Sequence, residues 1–520
     1  MTQPRVQRPL RWNVWCDWRR WLVYTHRWLG IAGGLLFAVW FVSGIVLMYA
    51  GMPELTESKR LQRLPVLDLS LVSVAPGAAA AVVGASPSEM VVAMVGSRPV
   101  YRFPHAGRWT TVYADTGELF AGLTTEEAVA VAKRFGRDPA VTVEYDRLLT
   151  GPDQWTLQAA SYRPLHRVTL RDENGTEVYV SNRTGQPMLE TTSSTRGWAY
   201  AGAVLHWLYF TPFRQHGDVW LYSLIWLSIL GCFGTLTGLV WGIWRLSPRH
   251  RYRLRLEGRS VTPYSGLMKW HHYSGLVFGL VTFTWILSGC LSLEPFAWHP
   301  GTAPTPEQEA AVVGAPFRLD AVSVDALRQS AALLGASVAA RELEIVQFRG
   351  RLYLIGQDVE TGRQRLISIQ RPSDGVRERF AAEDVLEAGH RAMPRASVVD
   401  AVWLQEYDAY YYDRSNTRRL PVLRVRYDDA AQTWLYLDPF RGAIVRKEVL
   451  LTRINRWLYH GLHSLDFPFL YYQRPLWDVV VIVLSLGGLI LSVTTLLPAW
   501  RRLRRHGRRP QRYSAARSRR

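Results

Sequence analysis

The chain has 520 residues, more than one compact core usually holds, and its 48% hydrophobic and 20% charged residues exclude a disordered protein. Three cysteines are too few for a disulfide framework, and there is no CxxCH, HExxH, Walker A or strand-flanked GxGxxG motif. This argues against covalent c-type haem, zincin chemistry and nucleotide binding within the chain. The formal net charge of +19 suggests nucleic-acid binding until the basic residues are placed along the sequence.

Four apolar runs contain no Asp, Glu, Lys or Arg. They are Trp28–Ala50, Leu221–Trp244, Tyr273–Leu293 and Val479–Pro498. Each meets the length of about 20 residues that a helix needs to cross the hydrocarbon core of a membrane, where only a helix satisfies its own backbone. We therefore predict transmembrane helices at 28–50, 221–244, 271–293 and 479–499.

The basic residues lie in the short segments that connect or flank these runs. Residues 1–26, 245–270 and 500–520 together carry a net charge of +20, and the rest of the chain carries −1. The positive-inside rule places these segments in the cytoplasm. It predicts a cytoplasmic N-terminus (1–27), a basic loop (245–270), an Arg-rich cytoplasmic tail (500–520) and two large outer segments (51–220 and 294–478). Because orientation explains the basic surplus, we do not expect nucleic-acid binding.

The sequence repeats itself. HRWLG at 26–30 recurs as HHYSG at 271–275, and Ser43-Gly44 recurs as Ser288-Gly289, both at a shift of 245 residues. His206 and Trp220 match His463 and Trp477 at a shift of 257. Each half therefore reads as span, outer domain, span, which predicts a four-helix transmembrane bundle with an internal two-fold duplication.

The outer segments alternate β-forming runs with turn residues. The strand–turn–strand patterns are Val112–Gly117, Val178–Val180 closing at Gly185, Leu435–Asp438 closing at Gly442, and a weaker copy at Ile367–Ile369 closing at Gly375. Helical stretches such as 124–134 and 381–392 lie between them. These patterns predict a membrane α+β protein with two outer α+β modules.

Only four of the 13 histidines have a histidine at the matching position of the other half: His26 with His271, and His206 with His463. In a two-fold bundle each couple would converge from facing helices, near opposite membrane surfaces. Two neutral imidazoles suit the axial positions of haem iron, so the pairs predict two bis-histidine b-type haems and electron transfer. The neighbouring His272 and His460 are alternate ligands. Ordinary interfacial histidines remain the competing interpretation.

Several other residues bear on this hypothesis. Arg27 and Lys269 could pair with haem propionates, although membrane orientation explains them equally well. Small residues such as Gly30, Gly34 and Gly275 could make room for a macrocycle or simply let helices pack closely. No Asp, Glu, Lys, Arg or His lies inside the four apolar runs, which disfavours an ion-coupled transporter.

These motifs resemble the PepSY-associated transmembrane family. The resemblance is carried by HRWLG with Ser43-Gly44 after it, by the repeat of both around His271, by the Tyr-rich stretch Asp408–Asp413 before Leu420-Pro421-Val422, and by WLYHGLHSL at Trp457–Leu465. It covers nearly the whole chain except the basic tail. It implies two periplasmic PepSY-like modules and a bacterial inner-membrane location with both termini in the cytoplasm.

The resemblance also implies an activity. Family members include di-haem ferric-siderophore reductases, so we expect reduction of a periplasmic ferric siderophore to Fe(II) for iron uptake. The cytoplasmic segments are too short for a flavin or NADPH domain, which predicts a separate cytosolic or membrane electron donor. Candidate acceptor-site residues are Asp408, Tyr410, Tyr411, Asp153 and Trp155. Two alternatives remain open: a haem protein with a different periplasmic acceptor, and a haem-free PepSY protein that binds a peptidase or another partner.

Overall fold

The structure, a computed structural model, describes residues 14–84, 89–136, 140–254, 258–413 and 417–507. Parts of the predicted basic segments, residues 1–13, 255–257 and 508–520, lie outside the described residues.

The first half of the chain begins and ends with a long helix. Its elements are α1 (Val14–Leu47), α2 (Glu57–Arg63), α3 (Pro76–Val83), β1 (Met90–Val95), β2 (Arg98–His105), β3 (Arg108–Tyr113), α4 (Thr125–Phe135), β4 (Val143–Leu149), β5 (Leu165–Leu170), β6 (Glu177–Ser181), β7 (Pro187–Thr191), α5 (Ser193–Ala199), a π-helical turn (Tyr200–Val204), α6 (Leu205–Trp207), α7 (Thr211–Arg214) and α8 (Gly217–Arg245). A short hairpin of β8 (Tyr252–Leu254) and β9 (Gly258–Ser260) then leads into the second half.

The second half follows a similar order. Its elements are α9 (Leu267–Leu291), α10 (Pro306–Val313), α11 (Val324–Gly335), β10 (Leu343–Phe348), β11 (Arg351–Gln357), β12 (Gln364–Ser368), α12 (Ala382–Ala392), β13 (Val398–Leu404), β14 (Val422–Tyr427), β15 (Trp434–Asp438), β16 (Ala443–Glu448), α13 (Leu450–Arg456), a π-helical turn (Trp457–Gly461), α14 (Leu462–Ser464), α15 (Pro468–Tyr471) and α16 (Leu476–Gly507). Both halves thus place a π-helical turn directly before the short helix that carries His206 or His463.

The four predicted spans are helices, and each is long and apolar enough to cross a membrane. Helix α1 begins well before the apolar run, because residues 14–29 contain no proline or glycine that would interrupt it. Large apolar side chains such as Leu35 and Val277 are about two-thirds exposed on the bundle surface, as lipid-facing residues would be (66% and 67%).

The long helices form a four-membered bundle. Helix α1 packs against α8 and α16, and α9 packs against the same two helices. This arrangement places α1 and α9 across the bundle from each other. Side chains from those two helices can therefore meet at its centre.

Two four-stranded antiparallel sheets, with strand orders β4-β5-β6-β7 and β13-β14-β15-β16, occupy matching places in the two halves. The predicted strand Val178–Val180 lies in β6 and Leu435–Leu437 lies in β15, and both hairpins close as predicted at a glycine with positive φ, Gly185 and Gly442. The helical stretches predicted at 124–134 and 381–392 are α4 and α12.

A third sheet joins the two outer segments, which the sequence did not predict. Its order is β12-β11-β10-β1-β2-β3, with three strands from each segment. Strands β1 and β10 pair antiparallel, with Met90 opposite Ile345. Beside this junction Arg60 of the first segment donates to buried Glu342 of the second, Nη1 to Oε2, over 2.9 Å. The two outer segments therefore share one hydrogen-bonded core.

Candidate functional site

The four duplicated histidines come together in two pairs. The ring centres of His26 on α1 and His271 on α9 are 6.0 Å apart. Those of His206 on α6 and His463 on α14 are 6.1 Å apart. Each pair takes one histidine from each half, so both sites are formed between the halves.

The pairs lie at opposite ends of the bundle. The ring of His206 faces Gly44 of α1, and that of His463 faces Gly289 of α9. These glycines follow His26 and His271 by 18 residues, which corresponds to about 27 Å along a helix. We call the His206–His463 pair, next to the sheets, the sheet-side site, and the His26–His271 pair the far site.

At the sheet-side site each imidazole is oriented through Nδ1. His206 Nδ1 lies 3.2 Å from Ser43 Oγ, and His463 Nδ1 lies 3.2 Å from Ser288 Oγ. His463 Nδ1 also donates to the Trp285 carbonyl over 3.0 Å, and His206 bonds the matching Trp40 backbone. An imidazole that donates from Nδ1 coordinates a metal through Nε2, the arrangement usual for histidine ligands.

Glycine allows these rings to approach the long helices. A Cβ at Gly44 or Gly289 would lie 3.3 Å from Cε1 of the facing histidine, tighter than ordinary contact. The recurring Ser-Gly pair thus has a physical meaning: serine holds Nδ1 and glycine leaves room for the ring. The sequence shows that this dipeptide is repeated, but its role could not be predicted from the repeat.

The far site also bonds each ring to backbone at matching positions, Gly234 for His26 and Leu491 for His271, but adds hydroxyl partners on one side. His26 Nδ1 donates to the Gly234 carbonyl of α8 over 2.9 Å. His271 Nδ1 lies 3.1 Å from Thr494 Oγ1 and 3.3 Å from Thr495 Oγ1, both on α16. Both hydroxyls donate to their own helix, so their oxygens can accept from the imidazole. The far pair is therefore also held for coordination through Nε2.

The spacing of both pairs fits a single metal ion between two imidazoles. An imidazole nitrogen lies about 2 Å from a metal it binds, so two imidazoles on opposite sides of one ion have ring centres about 6 Å apart. The observed 6.0 and 6.1 Å meet this requirement. Within the described ranges no group of three or more His, Cys, Asp or Glu could hold a metal ion, so these pairs lack the four-ligand set of a structural zinc site.

The sheet-side pair also borders a cavity of about 410 Å³. Aromatic residues from matching positions in the two halves line it: Trp40, Trp285, Trp220 and Trp477. Burial lowers the pKa of His206 to about 4, with a smaller contribution from His463, so the ring is neutral at physiological pH. A neutral imidazole facing an apolar, aromatic cavity suits a flat macrocycle with a central metal.

The alternate ligands lie elsewhere. Both ring nitrogens of His272 have protein partners at 2.8 Å, Thr262 Oγ1 and the Gly242 carbonyl, so this histidine is satisfied within the fold. His460 lies on the π-helical turn with its ring 4.4 Å from that of Tyr459.

The two predicted propionate partners flank the far site. Arg27 is exposed, with its guanidinium 5.6 Å from the Tyr24 ring centre. Lys269 is half-buried, with Nζ 5.9 Å from the Tyr273 ring centre. A propionate role for them stays a prediction. The small residues favour the packing interpretation, because a Cβ at Gly34 would meet Leu496 at 3.2 Å and one at Gly279 would meet Leu239 at 2.8 Å.

The carboxylate of Asp408, a predicted acceptor-site residue, is hydrogen-bonded to other residues of the protein. Its Oδ1 accepts from the backbone N–H groups of Tyr410 at 2.8 Å and Tyr411 at 2.6 Å. Its Oδ2 accepts from Tyr436 Oη at 3.0 Å and from Arg424 at 3.1 Å. The carboxylate therefore ties the Tyr-rich loop to the sheet. A substrate role for it and the two tyrosines stays a prediction.

Asp153 does the same in the first half. Its Oδ1 accepts from the backbone N–H groups of Trp155 and Thr156 at 3.0 Å, and its Oδ2 accepts from Tyr179 Oη at 3.0 Å. Arg167 lies 3.7 Å away. Trp155 packs edge-on against Tyr200 of the π-helical turn, 5.1 Å between ring centres. Both aspartates thus tie a loop to a sheet, and both loops contact the π-helical turn before a sheet-side histidine, through Trp155–Tyr200 and Tyr410–Trp457.

No protein-family model matches the chain, and no curated protein is significantly similar to it.

Proposed function

We propose that this protein is an inner-membrane electron-transfer protein that holds two b-type haems and reduces a ferric siderophore in the periplasm. One observation carries the proposal: two opposed histidine pairs, each at the spacing of a bis-imidazole metal site, lie about 27 Å apart along the bundle. That separation approaches the roughly 30 Å thickness of the hydrocarbon core, so the pairs lie near opposite membrane surfaces.

His26 with His271 and His206 with His463 would hold the two haems. Haem iron bound by both imidazoles of a pair would supply one-electron redox chemistry and would leave no position for a small ligand. The chain's own contribution is to fix each imidazole through Nδ1, using Ser43 and Ser288 at one site and the Gly234 carbonyl and α16 threonines at the other. Ligands held rigidly change little between redox states, which suits rapid electron transfer.

The charges orient the chain in the membrane, and the direction of transfer from cytosol to periplasm rests on the family resemblance. The +20 segments would face the cytoplasm, leaving the sheets and the sheet-side site in the periplasm. A separate cytosolic or membrane donor would then serve the far site. The matched sheets, π-helical turns and histidine partners support an origin of the two halves by duplication, with a PepSY-like module in each.

The ferric siderophore as acceptor rests on the resemblance to the PepSY-associated family. Reduction would transfer one electron to chelated Fe(III) and release Fe(II), which chelators of this class hold less tightly. The alternatives are a haem protein with another acceptor and a haem-free PepSY protein that binds a peptidase.

Spectroscopy of the purified protein tests the central claim. Protein purified in detergent should show sharp b-type bands after dithionite reduction, with two haems and two iron atoms per chain. A folded but colourless preparation would leave the haem-free alternative. Anaerobic incubation of the reduced protein with ferric siderophores and a ferrous trap then separates the two haem interpretations. Two haems without Fe(II) release would point to a different acceptor.

A further inference from the structure

Two arginines cover matching tryptophans at the wall of the sheet-side cavity. The guanidinium carbon of Arg214 lies 4.5 Å from the Trp220 ring centre, and that of Arg474 lies 4.3 Å from the Trp477 ring centre. Both tryptophans line the cavity. Arg214 also lies 5.2 Å from the ring centre of Tyr209, another lining residue. The arginines do not line the cavity themselves, but each half places one cation against a lining tryptophan.

Only one of these cations is balanced by an acid. Arg474 pairs with Asp478, which also accepts a hydrogen bond from Tyr49 Oη at 2.9 Å. Within the part of the chain that the structure describes, the guanidinium of Arg214 makes no hydrogen bond and no ion pair, and its Nε is buried without a partner. Asp218 follows Arg214 at the same four-residue spacing but is exposed and not paired with it. A buried N–H without an acceptor costs free energy unless a bound group supplies the acceptor.

The proposed occupant of the cavity carries such acceptors. A b-type haem has two carboxylates, and guanidinium binds carboxylate through two parallel hydrogen bonds. We propose that Arg214 anchors a carboxylate of the group bound at the sheet-side site, while Arg474 with its own acid does not. This inference rests on the proposed function. It makes the two sides of the cavity unequal in the charge they would offer to a bound group.

Haem loss from the intact protein tests the assignment. The holoprotein in detergent is mixed with excess apomyoglobin as a haem scavenger, and transfer is followed in the Soret band. Arg214→Gln should speed the loss of one of the two haems about tenfold or more, as removal of a charge-assisted hydrogen bond predicts. Arg214→Lys, which keeps the charge without the planar fork, should lie between Gln and wild type. If the Gln variant does not fold, the Lys variant still tests the assignment.

The matched controls are Arg474→Gln and Asp218→Asn, which should stay within about twofold of wild type. Equal haem loss from wild type, R214Q and R214K would overturn the assignment, as would an equal effect of R474Q. A phospholipid headgroup is the other source of an anion at this depth. Phosphorus analysis that shows lipid lost from R214Q, with haem loss unchanged, would also overturn it. A wild-type preparation without haem would instead defeat the proposed function, so the two failures are distinguishable.

Discussion

The two histidine sites have the same spacing but different surroundings. The distance between the two ring centres is 6.0 Å in the far pair and 6.1 Å in the sheet-side pair. At the far site a Cβ added to Gly238 would lie 2.3 Å from Cε1 of His26, so the ring presses directly on the α8 backbone. The sheet-side pair instead borders a cavity of about 410 Å³ with aromatic walls. The spacing thus follows from the two-fold arrangement of the halves, whereas the surroundings depend on individual residues.

The sites also differ in symmetry. The sheet-side histidines use the same partners in both halves, a serine and a tryptophan carbonyl. At the far site the histidines also bond matching backbone positions, Gly234 and Leu491, but the residue that is Gly238 in one half is Thr495 in the other, at the shift of 257. At this position the His26 ring therefore contacts the glycine backbone, whereas the His271 ring contacts a threonine hydroxyl. We infer that substitutions at matching positions will act alike at the sheet-side site and unlike at the far site.

Removal of a ligand should produce the largest effect and separate the sites. His463→Ala should lose the sheet-side haem and His271→Ala the far haem, so that each variant retains about one iron per chain, because one imidazole alone leaves an axial position open. Iron analysis and the reduced haemochrome spectrum measure this. His272→Ala and His460→Ala are the controls and should retain both haems. If either control bleaches the protein while its paired neighbour does not, the ligand assignment is wrong.

A methyl group at Gly238 should act on the far site alone. Gly238→Ala would force the His26 ring or the α8 backbone to move, at a cost of about 1–3 kcal/mol. We expect weakened or lost far-site haem with an unchanged sheet-side haem, measured by haem content and redox titration. Gly242→Ala, where the nearest atom would lie at 3.6 Å, is the matched control. Equal losses from both sites would contradict the geometry.

Loss of the serine hydroxyls should give the smallest effect and test the symmetry. Ser43→Ala and Ser288→Ala each remove one hydrogen-bond partner of Nδ1 but leave the backbone carbonyl, so each should cost about 1 kcal/mol. The expected result is full haem content and similar small shifts in the sheet-side midpoint potential for the two variants. A large shift from only one of them would show that the halves are not equivalent there.

Local patterns in the sequence identified the spans, the hairpins and the paired histidines. A span depends on an uninterrupted apolar run, and a hairpin depends on a glycine between two β-forming stretches, such as Gly185 or Gly442. The histidine pairs could be predicted because the sequence matches itself at shifts of 245 and 257 residues. All of these signals lie within one segment or within the repeat.

Only the tertiary structure decided the rest. The sheet shared by β1 and β10, the hydrogen bonds that occupy Asp153 and Asp408, and the unpaired charge of Arg214 all depend on which distant side chains meet. An aspartate beside tyrosines has the same local sequence whether it binds a ligand or ties a loop to a sheet. Its role depends on which donors the fold places beside its carboxylate oxygens. Those donors come from distant parts of the chain, so the local sequence does not reveal them.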